Sequence, residues 1–223
     1  CRGWESLRMT VEIAIDDDTP ADRRRRKVRD AIIDAAEVIF TAEGEEGISM
    51  RRLAESIDYS PAAIYKYFSS KDDLFEAIRD TFFERLMERI RGALEEGGNT
   101  PSLCARCMRA YIETGMEEPN HYMMAFSSGK KIAPHLHDED DVAFQAEHAL
   151  VGMIEAGMAE GVFRKIDPKV ASKSVWASLH GLTTLMVSME GFPTGMPGSE
   201  HVTAEAVIDC HPDMILRTSL IPI

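Results

Sequence analysis

Apolar residues recur along this chain at intervals of three and four, and the strict alternation expected of half-buried strands is absent. The pattern predicts an all-α fold of about nine helices. A first helix over residues 23–42 carries Val28, Ile32, Ala35, Ala36 and Ile39 on one face and ends at Gly44. A second, 49–57, has Ser49 as N-cap and turns Met50, Leu53, Ala54 and Ile57 inward. Ser60-Pro61, a cap followed by proline at the first helical position, opens a third that runs to Tyr67 or Phe68. Ser70 starts a fourth, with Asp73 in a capping-box arrangement. Its Leu74, Ile78, Phe82, Leu86, Ile90 and Leu94 repeat every four residues. That stripe needs a partner surface.

Further helices are expected over 100–117, from Pro119 to near Gly129, and over 139–160, where Gly161 stops the chain. Asp167-Pro168 opens another to about Glu190, and the last covers 203–220 with Pro212 interrupting it. Residues 130–140 read as a polar loop and 191–202, rich in Gly and Pro, as a surface loop. The expected division is an N-terminal extension over 1–20, a three-helix domain over 21–70, and a helical bundle over 71–223. Residues 1–20 contain no apolar core and include Asp16-Asp17-Asp18, so they do not read as a signal peptide, and Met9 is a candidate first residue.

The second and third helices with the link Ile57-Asp58-Tyr59-Ser60 have the makings of a helix-turn-helix. Such an element needs a bracing helix, a tight turn, and a short helix whose outer face is free for the major groove. Ile64 and Phe68 lie four apart and point inward, leaving Ala62, Ala63, Tyr65, Lys66 and Tyr67 outward. Small residues at 62 and 63 permit close approach to base edges, and the others offer hydroxyls and a cation. Lys71 stands at the N-terminal end of the fourth helix, a natural phosphate position. Arg23, Arg24, Arg25, Arg26 and Lys27 form a basic run suited to phosphates or, as an arm, to a minor groove.

A net charge of −13, taken over the whole chain, argues against nucleic acid. Its distribution removes the objection: residues 21–91 hold 14 basic against 15 acidic residues, whereas the rest of the chain holds 11 against 23. Phosphate binding depends on where the cations sit, so the acidity of the bundle excludes nothing.

Residues 24–75 resemble the N-terminal signature of the tetracycline-repressor (TetR) family. The resemblance rests on Ala31, Ala35, Ala36 and Phe40, on Ser49-Met-Arg-Arg-Leu-Ala-Glu-Ser-Ile, and above all on the spacing Tyr65, Phe68, Lys71, Leu74. It implies a DNA-binding regulator in which Tyr65 and Lys71 contact phosphates. Ser49, Met50, Arg51, Ser60, Pro61, Ala62, Ala63, Lys66 and Tyr67 would then lie at or near the groove. Asp58 stands where the family has its turn glycine; aspartate accepts left-handed backbone better than most residues. Trp176-Ala-Ser-Leu-His180-Gly181, with Glu118-Pro119, His121-Tyr122, Phe126 and Glu160-Gly-Val-Phe163, resembles the Trp-His-Gly class of TetR C-terminal domains.

From Ser174 to Met189 no residue carries a formal charge, too short and too polar a stretch for a membrane span. A helix apolar all round needs cover on more than one side, and a second copy supplies it. Trp176, Leu179, Leu182, Met186 and Ile215 are the expected interface residues, with the share of the last helix in doubt because of Pro212. The bundle would hold a lipophilic effector; Tyr122, Met123, Phe126, His148, Met153, Trp176 and His180 are the candidate pocket groups. The expected protein is a homodimeric cytoplasmic repressor on a palindromic operator, with no metal, no cofactor and no enzymatic activity. The competing reading is a metal-dependent or redox all-α protein using Cys104, Cys107 and the loop with His135, His137, Asp138, Glu139, Asp140 and Asp141.

Overall fold

The computed structural model describes residues 19–127, 141–195 and 197–220. The extension expected over 1–20, apart from its last two residues, and the polar loop of 130–140 lie outside them. Among the described residues there are nine α-helices and no strand. They are α1 Pro20–Glu43, α2 Met50–Ser56, α3 Pro61–Ile64, α4 Lys71–Glu95, α5 Thr100–Glu117, α6 Pro119–Ser127, α7 Val142–Ala159, α8 Pro168–Ser188 and α9 Ala204–Ile215. They form two compact units. One holds α1 to α3, α4 as far as Phe82, and α6. The other holds the remainder of α4 with α5 and α7 to α9.

In the first unit, α1 begins a turn earlier than the apolar periodicity indicated. Thr19 accepts from the Asp22 amide at 3.2 Å, the Asp22 carboxylate accepts from the Thr19 amide at 3.1 Å, and Pro20 follows the cap. The basic run is therefore helical, and its arm-like conformation is corrected. Ile32, Ala36 and Ile39 face the core with Leu53, Ala54 and Ile64. Buried His121 of α6 lies 2.8 Å from Glu37 Oε1 through Nδ1, and its Nε2 donates to the Ile78 carbonyl at 2.9 Å. A carbonyl can only accept, so Nε2 carries hydrogen. α6 is thereby fastened to α1 and α4.

All six residues of the α4 stripe are buried, from Leu74 to Leu94. At its start Ser70 accepts from the Asp73 amide at 3.1 Å, but Asp73 takes its return bonds from the Ser69 amide (2.6 Å) and hydroxyl (2.9 Å). The box closes one residue further out than the spacing suggested.

In the second unit α5 packs against α8, α9 and α7. Arg85 pairs with Glu118, Arg89 with Glu117 and Glu113, and Arg106 donates to the Ala93 carbonyl, so the end of α4 is laced to α5. Arg109 reaches Glu113, Glu205 and Asp209 and ties α9 to α5. After α7 the chain turns at Gly161 (φ 73°), and Phe163, 2% exposed, folds back on Gly157. α9 runs through Pro212 to Ile215, correcting the expected interruption. The proline lies one turn from the helix end, its ring is buried, and the next five residues, Leu216–Leu220, wind as a wider π-turn.

The turn between α2 and α3 depends on one residue. Asp58 has φ 57°, and the Tyr59 amide donates back to the Ala54 carbonyl at 2.9 Å, which closes α2 with a Schellman bond. Glycine adopts this conformation without a Cβ penalty. Asp58→Gly is expected to raise stability by about 0.5–1 kcal/mol, a shift visible in denaturant unfolding; Asp58→Val is expected to lower it by more. A drop in stability for Asp58→Gly would mean that the aspartate side chain itself holds the turn.

Candidate nucleic-acid interface

The brace α2 is held at both ends. Ser49 caps it by accepting from the Arg52 amide at 3.3 Å, and Arg52 makes two 2.5 Å contacts with Glu43 and one of 3.0 Å with the Gly47 carbonyl. Arg52 is thus committed to fixing α2 against the end of α1. Its neighbour Arg51 lies 81% exposed, with Glu55 one turn away at 2.8 Å. Met50 is 8% exposed and belongs to the core, which corrects its placement at the groove: at the first helical position it points under the helix with Leu53 and Ala54.

Ser60 caps α3 through the Ala63 amide at 3.2 Å, and Pro61 follows. The expected helix to Tyr67 or Phe68 is α-helical only to Ile64. Beyond it, Lys66 and Tyr67 donate to carbonyls three residues back, at 3.2 and 2.8 Å, and so wind more tightly. Buried Ile64 and Phe68 anchor this segment, and Ser60, Pro61, Ala62, Tyr65 and Lys66 are exposed while Ala63 and Tyr67 are half-buried. Tyr65 is 55% exposed, a large apolar ring presented to solvent. Tyr59, in the turn, is 43% exposed and was missed by the sequence reading. Arg29, also missed, lies over the Phe68 ring at 5.3 Å; its interval from the basic run gave no sign of it.

Lys71 is half-buried, donates to the Glu45 carbonyl at 2.6 Å, and approaches Glu45 Oε1 at 3.7 Å and the Phe75 ring at 5.7 Å. It therefore clamps the turn after α1 as well as standing at the start of α4. The basic run occupies the first turns of α1 with all five side chains exposed. Consecutive helical residues are about 100° apart, so the five surround the helix. Cations at a helix N-terminus oppose the macrodipole, which makes their presence costly for the helix alone.

The family model for bacterial regulatory proteins of the tetR family matches residues 32–78, and that for the tetracyclin repressor-like C-terminal domain matches residues 104–211. The chain belongs to the TetR family. It is similar to the nucleoid occlusion factor SlmA of Vibrio vulnificus, 35% identical over 81 residues, which is 36% of this chain and 41% of that one. The match thus spans about two fifths of the length of these curated relatives. Among solved structures it is similar to the TetR regulator PfmR of Thermus thermophilus, with 25% identity, a TM-score of 0.64, and coverage of 83% of this chain and 97% of that one. A tetR-family regulatory protein from Rhodococcus RHA1 shares the fold at 20% identity and TM-score 0.70, covering 88% of this chain and 99% of that one.

In this TetR chain the candidate pocket residues divide between the units. Tyr122 is buried and stacks with Phe82 and Phe126 (ring centroids 5.4 and 4.9 Å), and Met123 and Phe126 are half-buried on the same helix. Met153, Trp176 and His180 belong to the other unit. There Tyr111 Oη accepts from the Trp176 indole at 3.2 Å and lies 3.3 Å from His180 Nδ1. Burial holds His180 below the usual histidine range, so its neutral form is favoured. His148 is exposed on α7 and stacks on Phe144, which corrects its pocket assignment.

The interface residues also need revision. Leu179, Leu182 and Ile215 are buried within their own chain, and Trp176 and Met186 are half-buried. The outward face of α8 instead presents Val170, Ala177, Gly181 and Leu185, with exposed Met189 just past its end, and α9 presents Ala206, Cys210 and Met214. Cys104 and Cys107 are buried and their thiols are pushed up to about 12 by burial, so neither is a thiolate at neutral pH. Among the described residues no three His, Cys, Asp or Glu groups gather as a metal site. His135, His137, Asp138, Glu139 and Asp140 lie outside them, and Asp141 caps α7. No helix among the described residues is long and apolar enough to cross a membrane.

Proposed function

We propose that the chain is a cytoplasmic, homodimeric transcriptional repressor that binds a palindromic operator and is released from it by a small lipophilic effector. The observation that carries this reading is the outward face of α3: Ala62 and Ala63 leave room for base edges while Tyr65 and Lys66 project beside them. Tyr67, Arg51, Ser49, Ser60 and Pro61 would border the groove. Arg23, Arg24, Arg25, Arg26 and Lys27 would follow the phosphates from α1, and Lys71 would reach one while keeping its bond to Glu45. The likeness to the TetR regulator PfmR and to bacterial regulatory proteins of the tetR family supports the regulatory part of this reading. Residues 21–70 would form the reading head and 71–223 the sensing and pairing part, with the Trp176–Tyr111–His180 bonds in keeping with the Trp-His-Gly class.

The dimer seam would be the exposed face of α8 with Ala206, Cys210 and Met214 of α9. A Cβ added at Gly181 would meet nothing within 4 Å, so a second backbone can approach there closely. Two copies related by a two-fold axis place two α3 helices on one palindrome.

Selection of duplexes from a random pool by the full chain tests both parts. The expected product is a palindrome, and Leu185→Glu is expected to turn the dimer into a monomer that holds operator at least about tenfold more weakly, because a charge then faces its own copy across the seam. Enrichment of no duplex would sink the DNA reading. An unchanged dimer with Leu185→Glu would move the seam elsewhere.

A further inference from the structure

Four arginines stand on α4, and one differs from the rest. Arg79, Arg85 and Arg89 each have a carboxylate within 4 Å. Arg91 has no ion pair and no hydrogen bond among the described residues, yet its Nε and Nη2 are shielded from water. Glu88 and Glu95 lie three and four residues away, at distances a helical arginine can span, and neither holds it. Around the helix axis Arg91 points away from the flank that Arg85 and Arg89 lace to α5; it borders the buried Met87 and Leu94 instead.

The two unsatisfied nitrogens are informative together. Nε–H and Nη2–H are parallel donors on one edge of the planar guanidinium, and that edge matches the two oxygens of a carboxylate or phosphate. A shielded cation whose donors find no acceptor is costly, and an oxyanion that reached both donors would remove that cost. We propose that Arg91 receives the oxyanion of the effector, which is then an amphiphile with an anionic head, carboxylate or phosphate, and an apolar body. This rests on the reading of the second unit as a sensing domain and sharpens it: the lipophilic effector carries a negative charge. The acidic surface of the bundle would repel such a molecule only weakly across salt, whereas a shielded contact at Arg91 is barely screened.

The test uses the full chain with decanoate, decyl phosphate and decanol as probes, and the variants Arg91→Met, Arg91→Gln and Arg91→Lys. Decanoate or decyl phosphate at saturation is expected to raise Tm by roughly 5 °C or more, and decanol to have no such effect. Whichever of the two anions acts identifies the head group. Arg91→Met and Arg91→Gln are expected to weaken that anion about 30-fold or more and Arg91→Lys about tenfold, since an ammonium lacks the paired donors. Without probe, Arg91→Met is expected to melt at or above the wild-type temperature, because an uncompensated cation has been replaced by a neutral, unbranched thioether. A lower Tm for Arg91→Met, equal response to decanol, or no response to either anion would overturn the proposal. Duplex binding by the unliganded wild-type chain is measured alongside: its absence would count against the repressor reading, and leaves the anion measurements to decide Arg91 separately.

Discussion

Gly157→Ala is expected to destabilise the chain by about 3 kcal/mol, at the upper end of what overpacking usually costs. A Cβ at this position would fall 2.1 Å from Phe163 Cδ2 and 2.4 Å from Cε2, closer than any real contact. The ring cannot move aside cheaply. It is 2% exposed, and the Phe163 and Val162 amides both donate to the Gly157 carbonyl at 3.0 Å, so backbone and ring are fixed to the same residue. For a chain of this size the loss corresponds to a fall in Tm of roughly 6–12 °C. Phe163→Ala is expected to cost about 3–5 kcal/mol through the cavity it leaves. The two substitutions should not add. Once the ring is gone, alanine at 157 meets no obstacle and gains up to ~1 kcal/mol over glycine in a helix. Unfolding of the four chains in denaturant closes the cycle. Equal cost of Gly157→Ala with and without the ring would show that the close approach is not what requires glycine.

Ala62→Glu is expected to reduce operator affinity at least about 100-fold, equivalent to ~2.7 kcal/mol, without lowering thermal stability. Ala62 is exposed at the second position of α3, where a carboxylate is favoured by the helix N-terminus. Its cost therefore falls on binding alone: a negative charge would be set against phosphates and base-edge acceptors. Lys66→Ala gives the complementary measurement. It should weaken all duplexes alike and reduce the salt dependence of binding by about one ion. Fluorescence anisotropy of the selected operator across a salt series reads both effects. If Ala62→Glu bound operator as wild type does, α3 would not be the reading element, whatever the family to which the chain belongs.

The helices and the reading element were legible in the sequence for a local reason. Caps such as Ser49, Ser60 and Asp167 act on amides two or three residues away, and the α4 stripe needs only the helical period to declare itself. The same holds for Asp58, whose departure from the family glycine was visible and whose left-handed backbone follows from its place after α2. Two departures also have local causes. Pro212 breaks a helix only if its turn lacks other support, and the capping box of Thr19 with Asp22, which starts α1 early, involves residues three apart.

What the sequence determined by itself was the all-helical fold, the boundaries of its elements to within a few residues, and a helix-turn-helix of TetR kind. In the uncharged stretch of α8 the tertiary structure alone decided which apolar residues face inward. Leu182 and Leu185 sit three positions apart in an uncharged helix, and only the packing of α5 and α7 against α8 buries the first and leaves the second 42% exposed. It likewise assigned Lys71 to Glu45 and Arg52 to Glu43, gave Gly157 its aromatic neighbour, and left Arg91 without a partner among the described residues. Such pairings join residues from different elements or depend on what surrounds them, and neither periodicity nor capping carries information about a partner that distant in the chain.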